Sequence, residues 1–200
     1  MDAVARSREF DRVAVVRSAR QFFWEHGYED SSIAGLESAT GLNRSSIYNA
    51  FDSKRGLFDA AVQSYLDEVV RPRLAPLQAD AVASDALAGY LDGLREAFAV
   101  VGSMPAEHGC LLINAAGAPV ARDADVARVI EDYRAELHDA IARGIAAAVP
   151  SASVDRRARL ADAVTGLVVA AFALVRPSPH EAVRALETAA ALVDAEAVRP

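Results

Sequence analysis

Apolar residues recur at spacings of three and four along most of the chain, and nowhere do they alternate long enough to mark a strand. In residues 11–26, Val15, Val16, Ala19, Phe22 and Phe23 share one helical face, while Arg17, Arg20, Gln21 and Glu25 share the other. Gly27 stands where a left-handed cap ends a helix. Ser31 or Ser32 can cap a second helix that turns Ile33, Leu36 and Ala39 inward. Gly41 ends it and Leu42 plugs the turn. Asn43 then caps a third helix, with Ile47 and Phe51 inward and Arg44, Ser45, Ser46, Tyr48 and Asn49 outward. Asp52 or Ser53 caps a fourth, which runs from Lys54 through Leu57, Phe58, Ala61, Val62, Tyr65, Leu66 and Val69 until Pro72 and Pro76 break it.

The same periodicity predicts helices over 85–101, 110–116, 123–149, 154–175 and 180–198, with 102–109 a loop around Pro105. The expected fold is therefore all-α with about nine helices. A three-helix head, residues 1–53, precedes a larger helical body, residues 54–200, and the helix from Lys54 is shared between them.

Composition narrows the class. Apolar residues at 52% and charged residues at 24% of 200 describe a soluble globular protein. The most apolar run, residues 163–175, goes 13 residues without a charge, fewer than the roughly 20 apolar residues a membrane-spanning helix needs. The first ten residues hold no apolar signal segment, so a cytoplasmic location is expected. The net charge of −7 argues against a protein that coats nucleic acid generally. That charge lies wholly in residues 57–200; residues 1–56 are neutral and carry Arg44 and the single lysine, Lys54, beside the predicted turn. Cys110 is the only cysteine, which excludes an internal disulfide.

Two short helices around a glycine turn form a helix-turn-helix pattern. A major groove admits one α-helix, whose short polar residues read base edges. Asn43, Arg44, Ser45, Ser46 and Asn49 meet that need; Arg44 suits guanine and Asn49 suits adenine. Tyr48 can offer its hydroxyl to a phosphate, and Lys54, Ser31 and Ser32 lie at helix N-termini, which favour anions. The same spacing also fits a plain helical hairpin, with Arg44 a solvated charge and Tyr48 a packing residue.

The stretch GLNRSSIYNAFDSKRGLF resembles the signature of the TetR family of one-component bacterial regulators, through Gly41, Leu42, Tyr48, Phe51 and Lys54. ARQFFWEHGYEDSSI, residues 19–33, is similar to that family's first-helix ending and second-helix start. Gly35 inside the second helix and Asn43 in place of the usual serine are departures. The resemblance implies an all-α homodimer with a DNA-binding head and a ligand-binding, dimerising body that releases operator DNA when occupied. It further implies phosphate contacts by Tyr48 and Lys54 and a repressor more readily than an activator; no cofactor is expected.

In the body, small residues on the last two helices suit close packing of a symmetric four-helix bundle, where the family's dimer interface lies. Ala163, Gly166, Ala170, Ala173, Leu186, Ala189 and Val193 are its expected members. An effector pocket is expected among Tyr90, Leu94, Phe98, Met104, Cys110, Asn114, Tyr133, Leu137, His138 and Phe172. GCLLINAAGA, residues 109–118, resembles a segment of one subset of the family. Cys110, two residues after His108, admits a thiol sensor, but the apolar run after it favours burial, and no ligand cluster for a metal follows. Neither a phosphate-cradling glycine loop nor a nucleophile elbow is present, so no enzyme is expected. A relative that has lost DNA binding is disfavoured by the intact Tyr48 and Lys54.

Overall fold

The structure, a computed structural model, describes residues 11–198. Arg6 and Arg8, counted in the charge of the head, lie outside the described residues. Among those described there is no strand. Eleven α-helices, one π-helical turn and one 3-10 turn follow in order. The nine expected helices are all present, and the two additional ones are α5 and α7. The chain divides into two compact units, the first ending at Val69 and the second beginning at Val70.

The first unit holds α1 (Arg12–Asp30), α2 (Ile33–Thr40), α3 (Arg44–Phe51) and α4 (Lys54–Tyr65). Asp11 caps α1 by accepting the Val13 and Ala14 N–H groups. Gly27, at φ 77° and ψ 172°, breaks the helical path, and a last turn runs on to Asp30. The core forms where α1 meets α4. Phe23 lies edge-on to Phe58 at 5.1 Å, and Trp24 edge-on to Tyr65 at 4.8 Å. Such pairs add about 0.5–1.5 kcal/mol each beyond their burial. Trp24 is thus a core residue that the sequence reading left out. Leu57, Phe58, Ala61, Val62 and Tyr65 are all buried in this packing, and α4 lies within the first compact unit, which ends at Val69. Gly35 has a packing reason: a Cβ there would run into the Phe22 ring.

After Tyr65 the backbone loosens into a π-helical turn (Leu66–Val70) and resumes as α5 (Arg71–Gln78). Pro72 and Pro76 therefore do not end the helical path. Pro72 sits in the first turn of α5, where its missing N–H costs little, and the π turn absorbs the misfit before it.

The second unit adds α6 (Ala86–Ala99), α7 (Met104–His108), α8 (Leu111–Ala116), α9 (Ala124–Ala148), α10 (Val154–Leu174) and α11 (Pro179–Ala197), with a 3-10 turn at Pro119–Arg122. The segment expected as a loop carries α7, because Ser103 caps it by accepting the Ala106 N–H and Pro105 occupies its first turn. α10 and α11 pack most extensively on each other, and α9 and α6 complete the layer behind them. No described helix is long and apolar enough to cross a membrane.

Candidate nucleic-acid interface

The turn between α2 and α3 is fixed by local hydrogen bonds. Ser32 opens α2 by accepting the Gly35 N–H at 3.0 Å. Gly41 closes it in the left-handed conformation, φ 71°, and donates its N–H to the Glu37 carbonyl at 2.9 Å. The Thr40 hydroxyl donates to the Leu36 carbonyl and accepts the Leu42 N–H, which pins the descending chain. Asn43 then caps α3, its side-chain oxygen accepting the Ser46 N–H at 2.9 Å.

Helix α3 has two faces. Ile47 and Phe51 are buried, and Arg44, Ser45, Tyr48 and Asn49 are exposed on the other side with Ser46 half-buried. The Arg44 guanidinium lies 5.4 Å from the centre of the Tyr48 ring, and Arg44 forms no ion pair among the described residues. It is a cation at the first position of the helix, exposed and close to the Tyr48 ring. Asn49 is likewise free of described partners. Chemically this surface offers a fork donor, an amide, two small hydroxyls and a phenol.

Ser53 caps α4 by accepting the Gly56 N–H at 3.0 Å. Lys54 rests 4.4 Å over the Tyr28 ring and reaches the Glu29 carbonyl at 3.5 Å. Partial burial lowers its pKa, while Glu29 and Asp30 oppose that shift. The ammonium therefore bridges the start of α4 and the end of α1. Among the described residues of the first unit, other arginines are engaged with carboxylates. Arg17 and Arg20 share Glu68 at 2.8 and 2.9 Å, and Arg55 pairs with Asp59 at 2.7 Å.

Ser31 departs from expectation. It is fully buried, and its hydroxyl donates to the Gly27 carbonyl at 2.5 Å, so it holds the α1–α2 connection and has no face toward solvent. Two residues that the sequence reading passed over meet α3 directly. The Glu37 carboxylate accepts the Arg44 backbone N–H at 2.5 Å, and Arg12 donates to the Ala50 carbonyl at 2.9 Å. Neither pairing follows from helical spacing, because each joins α3 to a different helix.

In the second unit the expected pocket residues gather in part. Leu94, Phe98, Cys110, Tyr133, Leu137 and Phe172 are buried, and Tyr90 and Met104 are half-buried. Phe98, Phe172, Cys110 and Tyr133 meet around the Gly109–Cys110 step. A Cβ on Gly109 would meet the Phe172 carbonyl, Phe172 lies edge-on to Phe98 at 5.3 Å, and the Cys110 thiol donates to the Tyr133 hydroxyl at 3.6 Å. Burial raises the pKa of Tyr90, with Cys110 adding to the rise. Two expected polar groups are committed elsewhere. The Asn114 amide donates to the His108 carbonyl at 2.6 Å, and His138 pairs with Asp162 of α10 at 3.1 Å, at the surface. A separate groove of about 260 Å³ between α6 and α11 is lined by Leu87, Leu91, Arg95, Val193 and Asp194, among others, and by none of the expected pocket residues. Cys110 has no exposed surface, which leaves a sensor thiol no route to oxidant in this conformation.

The expected dimer residues split by face. Ala163, Gly166 and Ala173 are exposed on α10 and Ala170 is half-buried. Leu186, Ala189 and Val193 are buried within the protomer, because that side of α11 packs on α10 and α6. The outward stripe of α11 is instead Thr188, Ala191, Leu192 and Ala195.

The sequence profile described as "Bacterial regulatory proteins, tetR family" matches residues 15–61, which span α1 through most of α4. An uncharacterized HTH-type transcriptional regulator of Bacillus subtilis, YezE, is 31% identical over 142 residues, covering 71% of this chain and 72% of its own. The HTH-type transcriptional repressor ComR of Escherichia coli is 36% identical over 110 residues, 54% of this chain and 51% of that one. Among solved structures, the TetR-family regulator CifR, as a cysteine mutant bound to 26-base-pair operator DNA, superposes with a TM-score of 0.75 at 27% identity, over 95% of this chain and 99% of that one. The TetR-family regulator SCO4454 of Streptomyces coelicolor shares the fold with a TM-score of 0.78, at 16% identity and over 93% and 95% of the two chains. Profile, relative and architecture agree, and the chain belongs to the TetR family of bacterial regulatory proteins.

Proposed function

We propose that this protein is a homodimeric, cytoplasmic DNA-binding transcriptional regulator, a repressor that leaves its operator when a small apolar or amphipathic molecule binds the second unit. The observation that carries the reading is the outward face of α3, with Arg44, Ser45, Tyr48 and Asn49 exposed on a helix whose inner face is anchored by Ile47 and Phe51. In this reading Arg44 and Asn49 contact base edges, with Ser45 and Ser46 allowing close approach. Asn43 stays at the rim, its side chain occupied as a cap. Ser32, Tyr48 and Lys54 hold phosphates and set register. The operator-bound state of CifR supports the same use of the head.

In this reading the effector binds around the Gly109–Cys110 step, and the packing of Phe98 on Phe172 and of Cys110 on Tyr133 supports it. Release follows from linkage. A molecule that prefers the DNA-incompetent form weakens DNA binding by its difference in affinity for the two forms, about 1–3 kcal/mol in typical systems. Residues 54–78 run as α4, the π turn and α5, and in this reading that path carries the change.

A mobility-shift titration of the DNA upstream of the protein's own gene tests the reading. Tyr48→Phe and Lys54→Ala should weaken binding to every duplex alike, while Arg44→Ala and Asn49→Ala should relax preference among sequences. If none of the four changes binding, α3 is not the reader.

A further inference from the structure

Helix α3 has eight residues, too few to persist alone in water, so its direction has to be set by its neighbours. Its buried anchors, Ile47 and Phe51, are one turn apart on a single stripe. Anchors on one stripe fix a line along the helix but leave it free to roll or tilt about that line. The two ends are held by groups from elsewhere in the unit. At the N-terminus the Glu37 carboxylate, from α2, accepts the Arg44 N–H at 2.5 Å. At the C-terminus Arg12, from α1, donates to the Ala50 carbonyl at 2.9 Å and lays its guanidinium 4.4 Å from the centre of the Phe51 ring. The signs match the helix dipole, an anion at the positive end and a cation at the negative end.

From this geometry we infer that Glu37 and Arg12 are positioning residues that set the sequence preference of α3, an inference that rests on the DNA-reading function proposed above. Glu37 is otherwise misplaced. A carboxylate beside a surface that has to meet phosphates weakens binding to any duplex. What it supplies is a fixed first residue, Arg44, whose fork geometry toward a base edge tolerates little displacement. Arg12 does the same at the far end, holding the turn that carries Asn49 and Ala50.

The test uses the full chain and two duplexes of equal length. One is enriched from a random-sequence library by the unmodified protein, and the other is its scramble. Affinities are read by fluorescence anisotropy, and melting temperatures alongside. Glu37→Ala should lower the enriched-to-scrambled affinity ratio about tenfold, with binding to the scramble unchanged or tighter. Glu37→Gln, whose amide oxygen accepts the same bond, should hold the ratio within about threefold of the unmodified protein. Arg12→Ala should lower the ratio as Glu37→Ala does. An unchanged ratio in Glu37→Ala, or equal losses on both duplexes that track the melting temperature, overturns the inference. An equal loss on both duplexes in Arg12→Ala, with a salt slope smaller by about one, marks a phosphate contact and overturns the part given to Arg12. Failure of the unmodified protein to enrich any sequence overturns the DNA-reading function, and this inference with it.

Discussion

Ser31 and Ser32 are adjacent and chemically identical, yet one is buried with its hydroxyl on the Gly27 carbonyl and the other caps α2 from the surface. Their substitutions should therefore part company. Ser31→Ala should lower stability by about 1 kcal/mol, read by denaturant melting, and leave affinity for DNA intact in the folded protein. Ser32→Ala should cost a comparable amount by removing a cap, and should also weaken binding to every duplex. The reverse pattern would mean that Ser31 faces the ligand. Helical periodicity places a cap only to within a residue, so the sequence cannot assign such a pair; the backbone path at Gly27 decides it. The same limit hid Glu37 and Arg12, whose partners are 7 and 38 residues away. By contrast Ile47, Phe51 and the caps Asn43 and Ser53 were legible, because they depend on spacing within one turn.

At the scale of elements, α5 and α7 were hidden for one reason. Each carries a proline in its first turn, Pro72 or Pro105, and proline read as a breaker is in fact well placed there, where no N–H is required. The π turn between α4 and α5 leaves no mark in the hydrophobic pattern, which runs through it unbroken in Tyr65, Leu66, Val70 and Leu74. That turn carries Glu68, which Arg17 and Arg20 of α1 both grip. The hydrogen bond from Arg17, and after it the contacts with Arg20, hold the Glu68 carboxyl below its ordinary value of 4.5. A depressed carboxyl stabilises the fold above the unfolded value and loses that contribution as pH falls below it. Glu68→Gln should therefore melt lower than the unmodified protein near neutral pH, and the gap should close as the medium is taken below about pH 4. A gap that stays constant across that range would show that Glu68 acts by packing and not by charge.

For the whole molecule, the head is readable because its determinants are local: caps, one glycine turn and two i, i+4 anchors. The second unit is less so. The proposed pocket and the proposed symmetric face depend on which side of a long, alanine-rich helix meets which neighbour, and the exposed residues of α11 include Ala191, Leu192 and Ala195. Leu186, Ala189 and Val193 took the inward side, leaving Ala191 and Leu192 outward with Ala163, Gly166 and Ala173 of α10. Two leucines six residues apart should then behave differently. Leu192→Glu places a charge on the proposed symmetric face, and should yield a folded monomer by sedimentation with lost DNA binding. Leu186→Ala opens a cavity in the protomer, and should cost about 2–5 kcal/mol of stability while the remaining folded protein stays dimeric. A Leu192→Glu protein that remains a dimer would move the interface elsewhere. The central claim is that two copies of α3 read a specific duplex together. Selection from a random-sequence duplex library with the unmodified protein, followed by sequencing, tests it most directly. The expected product is a two-fold symmetric motif with half-sites about one helical turn apart or a multiple of it, with weaker preference within the half-site when Arg44→Ala is used; a pool indistinguishable from the input would contradict the account.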